Sequence, residues 1–109
     1  MQKSSIQIDI HLDDKKLPEQ INWSASETGS DKLQRAKAMC LGFWEKKKKN
    51  TFKIDLWTKE MPVDEMKIFF HQTLVAMADT FERATQDEKM ASTMRDFTDY
   101  FAEKLELKG

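Results

Sequence analysis

From Ser5 to Leu12, SIQIDIHL alternates apolar and polar positions without a break. Ile6, Ile8, Ile10 and Leu12 fall on one side, and Gln7, Asp9 and His11 on the other. Successive side chains of a strand point to opposite faces, so this stretch predicts a half-buried β-strand. The segment DDKKLPE that follows is polar and carries a proline, the composition of a turn. QINWS then sets Ile21 and Trp23 on one face and predicts an antiparallel partner for the first strand. SASETGS, small and polar, reads as a loop.

Ser30 precedes DKLQRAKAMCLGFWEKKKK, in which Leu33, Ala36, Cys40, Phe43 and Trp44 recur at helical spacing. With Ser30 as N-cap this predicts an amphipathic helix, weakened near its end by Gly42. TFKIDLW returns to alternation with Phe52, Ile54 and Leu56 inward, which predicts a third strand and turns Trp57 outward by parity. Pro62 suits a first helical turn, and Asp64 and Glu65 complement the N-terminal dipole. Val63, Met66, Phe70, Leu74, Met77, Phe81 and Ala84 then keep a three-four rhythm. Thr85 and Glu88 have the spacing of a capping box, which starts a new helix with the stripe Met90, Met94, Phe97, Phe101 and Leu105. Two antiparallel helices joined by a tight turn follow from this, with one long bent helix as the alternative. The expected order is β-β-α-β-α-α: a single α+β domain over residues 1–109, with helices on one face of a small three-stranded antiparallel sheet.

Composition narrows the function classes. Apolar residues make up 39% of the 109 positions, including three Trp and seven Phe, enough for a folded core. Eighteen Lys plus Arg oppose nineteen Asp plus Glu, a balance that gives no electrostatic reason to expect nucleic acid or an anionic membrane as partner. Cys40 stands alone and has no internal disulfide partner. The first residues contain no apolar run of signal or membrane-spanning length, so the expected address is the cytoplasm.

Candidate chemistry is sparse. His71, in KIFFHQTLVAMADTF, sits about 100° from Phe70 at the edge of the helical stripe, beside Val75 and Ala78. No second His, Cys or Glu falls one turn further on, whereas a metal site needs three or four convergent ligands. Packing is the better role for it. Asp9, His11 and Asp13 share one strand face but lack a fourth ligand, and solvated strand residues explain them equally well. Cys40 has no readable histidine base and reads as a buried small hydrophobe. Phosphate-cradling and nucleophile-elbow motifs are missing, so no catalytic residue, metal ligand or cofactor is expected. Lys46 to Lys49 would offset a helix dipole and solvate the turn, without the arginines or aromatics of a nucleic-acid surface. The candidates for an interaction surface are Trp57, Met61, and the Ile68–Val75 strip on the reverse of the long helix. That strip is either covered by the last helix or free to make contacts.

The block from Ile54 to Lys108, IDLWTKEMPVDEMKIFFHQTLVAMADTFERATQDEKMASTMRDFTDYFAEKLELK, resembles the gliding-motility-associated GldC family. INWSAS at 21–26 and AKAMCLGFW resemble the first half of the same family. The resemblance implies a small accessory protein of bacterial gliding motility, working beside an envelope-anchored motor and secretion apparatus. It carries over no catalytic residue. It implies action by contact with other gliding-machinery proteins or a further copy of the chain; no membrane insertion is expected, since the sequence has no apolar run of spanning length. The competing expectation is a small-molecule-binding or enzymatic α+β domain with a pocket between sheet and helices, lined by Trp23, Trp44 and His71.

Overall fold

The structure, a computed structural model, describes residues 2–26 and 30–107, and only the backbone of Ser30 and Asp31. Positions 27–29 of the expected loop lie outside the described residues. The chain divides into two compact units, Met1–Met61 and Pro62–Gly109.

In the first unit, β1 (Ile6–Leu12) and β2 (Pro18–Ala25) pair antiparallel with Ile8 opposite Trp23 and Ile10 opposite Ile21. The two apolar rows therefore share a face. Asp13 shapes the connection: its carboxylate accepts from the backbone N–H groups of Lys15 (2.8 Å) and Leu17 (2.9 Å). This local bonding competes with strand extension and turns the chain, with Lys16 in the left-handed region at φ 64°. β3 (Ser30–Ala36) pairs with the other edge of β2, Ala36 opposite Ile21. After Lys37 alone comes β4 (Ala38–Trp44), which pairs with β5 (Thr51–Trp57) through Met39–Leu56, Leu41–Ile54 and Phe43–Phe52.

Residues 30–44 are thus strand, and the helix expected over that stretch is corrected to two strands bent at Lys37. The reason is readable afterwards. In MCLGFW, Met39, Leu41 and Phe43 take one face and Cys40, Gly42 and Trp44 the other, a period-two pattern hidden under a coincidental three-four spacing. Cross-strand pairing with β2 and β5 then outweighs a local propensity worth only tenths of a kcal/mol per residue. Two consequences correct the reading of single residues. Cys40 is exposed on β4 rather than buried in a helix. The lysine run lies in the β4–β5 hairpin connection, closed by Glu45 N–H to the Asn50 carbonyl (2.9 Å), so there is no helix dipole for it to offset.

The fold class is α+β: the described residues form five strands then two helices, with separate antiparallel sheets of three and two strands instead of a single three-stranded sheet. Thr58, only 3% exposed, ties the strand pairs together: its N–H and its Oγ1 both donate to the Lys37 carbonyl, at 2.8 and 3.1 Å. Ile21, in the central strand, is the largest fully buried side chain at 1% exposure. Ile8, Ile10 and Trp23 flank it half-buried, and Met39, Leu41, Ile54 and Leu56 are half-buried on the smaller sheet.

The second unit is a helical hairpin, α1 (Val63–Thr85) and α2 (Glu88–Lys104). Pro62 precedes the first helical residue with extended backbone, and Asp64 and Glu65 occupy the first turn as expected. The turn differs from the expected capping box. Gln86 takes the left-handed conformation and Asp87, not Thr85, caps α2 by accepting from the Met90 N–H (3.0 Å). Thr85 still belongs to α1, donating its hydroxyl to the Phe81 carbonyl (2.8 Å). The buried positions of the hairpin are small: Ala78 and Ala91 at 0% and Thr98 at 5% exposure. Small side chains let two helix axes approach closely, and Thr98 satisfies its hydroxyl on the Arg95 carbonyl (2.8 Å). Across the hairpin Arg95 binds Glu82 (2.6 Å) and Asp79 (2.9 Å).

Candidate functional site

β5 and the residues after it, together with the end of the β1–β2 turn, border an open hollow of about 310 Å³ lined by Leu17, Pro18, Asp55, Leu56, Trp57, Thr58 and Lys59. Trp57 is the last strand residue of β5, opposite Ala38, and is 60% exposed, as strand parity predicts. Half-exposed Leu17 and the adjacent Pro18 supply further apolar wall from a segment some forty residues away in sequence. On the other side of Thr58, a smaller hollow of about 170 Å³ is lined by Glu19, Gln20, Arg35, Ala36, Lys37, Thr58 and Glu60.

The charged groups around the larger hollow are already engaged. Lys59 forms an ion pair with Asp13, whose carboxyl also holds the turn. Lys59 first, and then the Leu17 N–H, hold the Asp13 carboxyl below the usual carboxylate range, and Asp13 in turn raises the Lys59 ammonium. Asp55 pairs with Lys53 at 3.1 Å, which lowers the Asp55 carboxyl. Opposite Asp55 in the ladder stands Cys40. Desolvation, and then the hydrogen bond to Asp55, push the Cys40 thiol up, so it stays a protonated thiol near neutrality and a weak nucleophile. A carboxylate held ionised by a lysine is equally unsuited to donate a proton at neutral pH. What the hollow offers is an apolar wall with fixed, paired charges at its rim.

The other sequence candidates disperse. Met61 is half-buried at the end of the first unit, its N–H on the Thr58 carbonyl (3.1 Å). Ile68 is 43% exposed on α1 and Val75 half-buried one heptad further on, both in the second unit. Counting 100° per residue from Ala78, they fall toward the side of the hairpin that carries Asp79 and Glu82. His71 stacks on Phe101 of α2, centroids 6.1 Å apart and planes at 17°, which is the packing role expected of it. Asp9 accepts from Gln7 (3.0 Å) and Asp13 is committed to Lys59 and the turn. Among the described residues no three His, Cys, Asp or Glu side chains gather in a metal-holding group. Neither Trp23, half-buried in β2, nor Trp44, 68% exposed at the end of β4, nor His71 lines either hollow.

Sequence reasoning named Trp57 and missed Leu17, Pro18 and Lys59. Leu17 and Pro18 lie far from Lys59 in the chain, as Asp13 does from its ion-pair partner Lys59, and periodicity does not report such contacts. No described helix is long and apolar enough to cross a membrane.

A family model described as gliding motility-associated protein GldC-like matches residues 18–107 of the 109. No curated protein and no solved structure matches the chain.

Proposed function

The chain belongs to the GldC-like family of gliding motility-associated proteins, and from that premise we propose that it is a non-enzymatic accessory protein of gliding that works by contact with other proteins of the machinery. The observation that carries this reading is Trp57, 60% exposed at the lip of an apolar hollow beside Leu17 and Pro18. An exposed tryptophan in such a setting is an anchor in search of a partner surface, since Trp is enriched where interfaces hold most of their energy. Its workplace is the cytoplasm, and its partner presents an apolar side chain to the hollow. A small-ligand reading has the hollow's volume in its favour, at the low end of ligand sites. Against it, Asp55 and Lys59 already have partners and would leave a ligand's polar groups without free ones.

The test is capture of partners from a gliding bacterium with the tagged chain, wild type against Trp57→Ala. Capture should weaken by about 1–2 kcal/mol, roughly tenfold, with the melting temperature nearly unchanged. Unaltered capture and unaltered gliding with Trp57→Ala would remove this residue from the contact. A large fall in melting temperature would assign it to the fold instead.

A further inference from the structure

The hairpin carries a second apolar surface that the contact through Trp57 does not use. On α1, Val63, Phe70 and Met77 follow one another at intervals of seven and are 73, 48 and 54% exposed. On α2, Met90 and Phe97 repeat that interval, at 50 and 52%. Taking the buried Ala78 and Thr98 as the directions in which the helices face each other, a rotation of 100° per residue places all five toward one side. The ion pairs of Arg95 with Asp79 and Glu82 mark the other side, which fixes the sense of both rotations. Half-buried Leu74, Phe81, Met94 and Phe101 fill the middle, so the two rows belong to one continuous apolar face.

We propose that this face joins two copies of the chain into a dimer, hairpin against hairpin. The interval of seven narrows the occupant to a helical surface. Side chains repeated every seven residues present a row that meshes with another helix, whereas an extended peptide presents side chains at a period of two. A second copy brings the same two rows, and a two-fold axis lets each face meet its own equivalent in a four-helix arrangement. The area suffices. The 17 residues of α2 span about 25 Å, and two packed helices are about 20 Å wide, giving roughly 500 Å² per copy and about 1,000 Å² for the pair. That is the lower limit for a specific interface, so the dimer is concentration-dependent. The acidic Asp79, Glu82 and Asp99 lie toward the other side of the hairpin, and Lys104, the next position of the Met90–Phe97 row, brings a charge to the face only at the last residue of α2.

Sedimentation equilibrium of the full chain, under reducing conditions that keep exposed Cys40 from cross-linking, reads the result directly. The weight-average mass should climb from 12.8 kDa toward twice that value as concentration rises. Met77→Gln and Phe97→Gln should each raise the dissociation constant about tenfold or more, while Ile68→Gln, toward the other side, leaves it unchanged. Far-UV circular dichroism checks that each variant keeps its helices. Should Phe97→Gln unfold, Met77→Gln decides alone. A wild-type monomer at every concentration overturns the proposal, as does a higher oligomer or a dimer indifferent to folded Met77→Gln. A monomeric chain would leave capture through Trp57 standing, so the two readings fail separately.

Discussion

Replacing Ile21 by Ala tests the packing of the first unit at its most buried point. The side chain is 1% exposed, with Ile10 opposite on one strand and Ala36 on the other. The substitution removes three carbon groups, each worth about 0.8 kcal/mol on burial, or roughly 2.4 kcal/mol of transfer free energy. If the site fails to collapse, a vacated volume of roughly 75 Å³ at about 24 cal/mol per Å³ adds some 1.8 kcal/mol. The expected loss is therefore about 2.4–4 kcal/mol, a large part of a typical domain's total. Ile6, on the same strand row as Ile10 but 75% exposed, is the control. It retains roughly a quarter of the transfer gain and leaves no cavity, so Ile6→Ala should cost about 0.6 kcal/mol. Urea unfolding followed by tryptophan fluorescence is the suitable assay, because Trp23, Trp44 and Trp57 all lie in the first unit and report on it. The midpoint should fall with an unchanged slope. A loss below about 1 kcal/mol at Ile21, or equal losses at Ile21 and Ile6, refutes this account of the core.

Two further perturbations probe the turn and the hairpin. Asp13→Asn keeps an oxygen for the Lys15 and Leu17 N–H groups but discards the charge that faces Lys59. The Asp13 carboxyl is lowered from 3.8, so its contribution is present above the unfolded value and lost as pH falls through the lower folded one. Lys59 is raised from 10.5, so its contribution holds below that value and disappears as pH climbs past the folded one. Thermal melts should then show wild type ahead of Asp13→Asn across neutral pH and the gap closing as pH falls below the unfolded carboxyl's 3.8 and through the lower folded one; a constant gap would place the effect elsewhere than the ion pair. In the hairpin, Ala91→Leu forces a larger side chain into a fully buried position and should cost about 1–3 kcal/mol or more by helical circular dichroism, where an unperturbed melt would mean that the helices do not close on Ala91.

The alternation in β1, β2 and β5 and the long rhythms of α1 and α2 were legible because each is a local pattern whose period names its element. The stretch 30–44 was not. Its apolar residues satisfy a helical period loosely, a strand alternation shows only in Met39, Leu41 and Phe43, and the pairings of Ile21 with Ala36 and Met39 with Leu56 lie across strands. Of the candidate site, the outward turn of Trp57 followed from the parity of its own strand. The hollow beside it did not, because Leu17 and Pro18 reach it from a segment some forty residues away in sequence.

The helices show why an apolar stripe does not by itself locate a core. Pattern reading weights the largest residues and so centres α1 on Phe70, Leu74 and Met77 and α2 on Met94, Phe97 and Phe101. The helices close instead on Ala78, Ala91 and Thr98, rotated from those centres, because small side chains permit the close approach in which backbones and stems pack. Phe70 and Phe97 are left about half-exposed at the flank, and truncating Phe70 therefore removes much less buried area than a central core position would. A large residue half-buried beside a small one fully buried is what a hairpin shows when its apolar stripe is wider than one neighbouring helix can cover. The excess width is surface for another helix. On α1 and α2 that width is carried by Phe70, Met77, Met90 and Phe97, each about half-exposed beside fully buried Ala78 and Ala91.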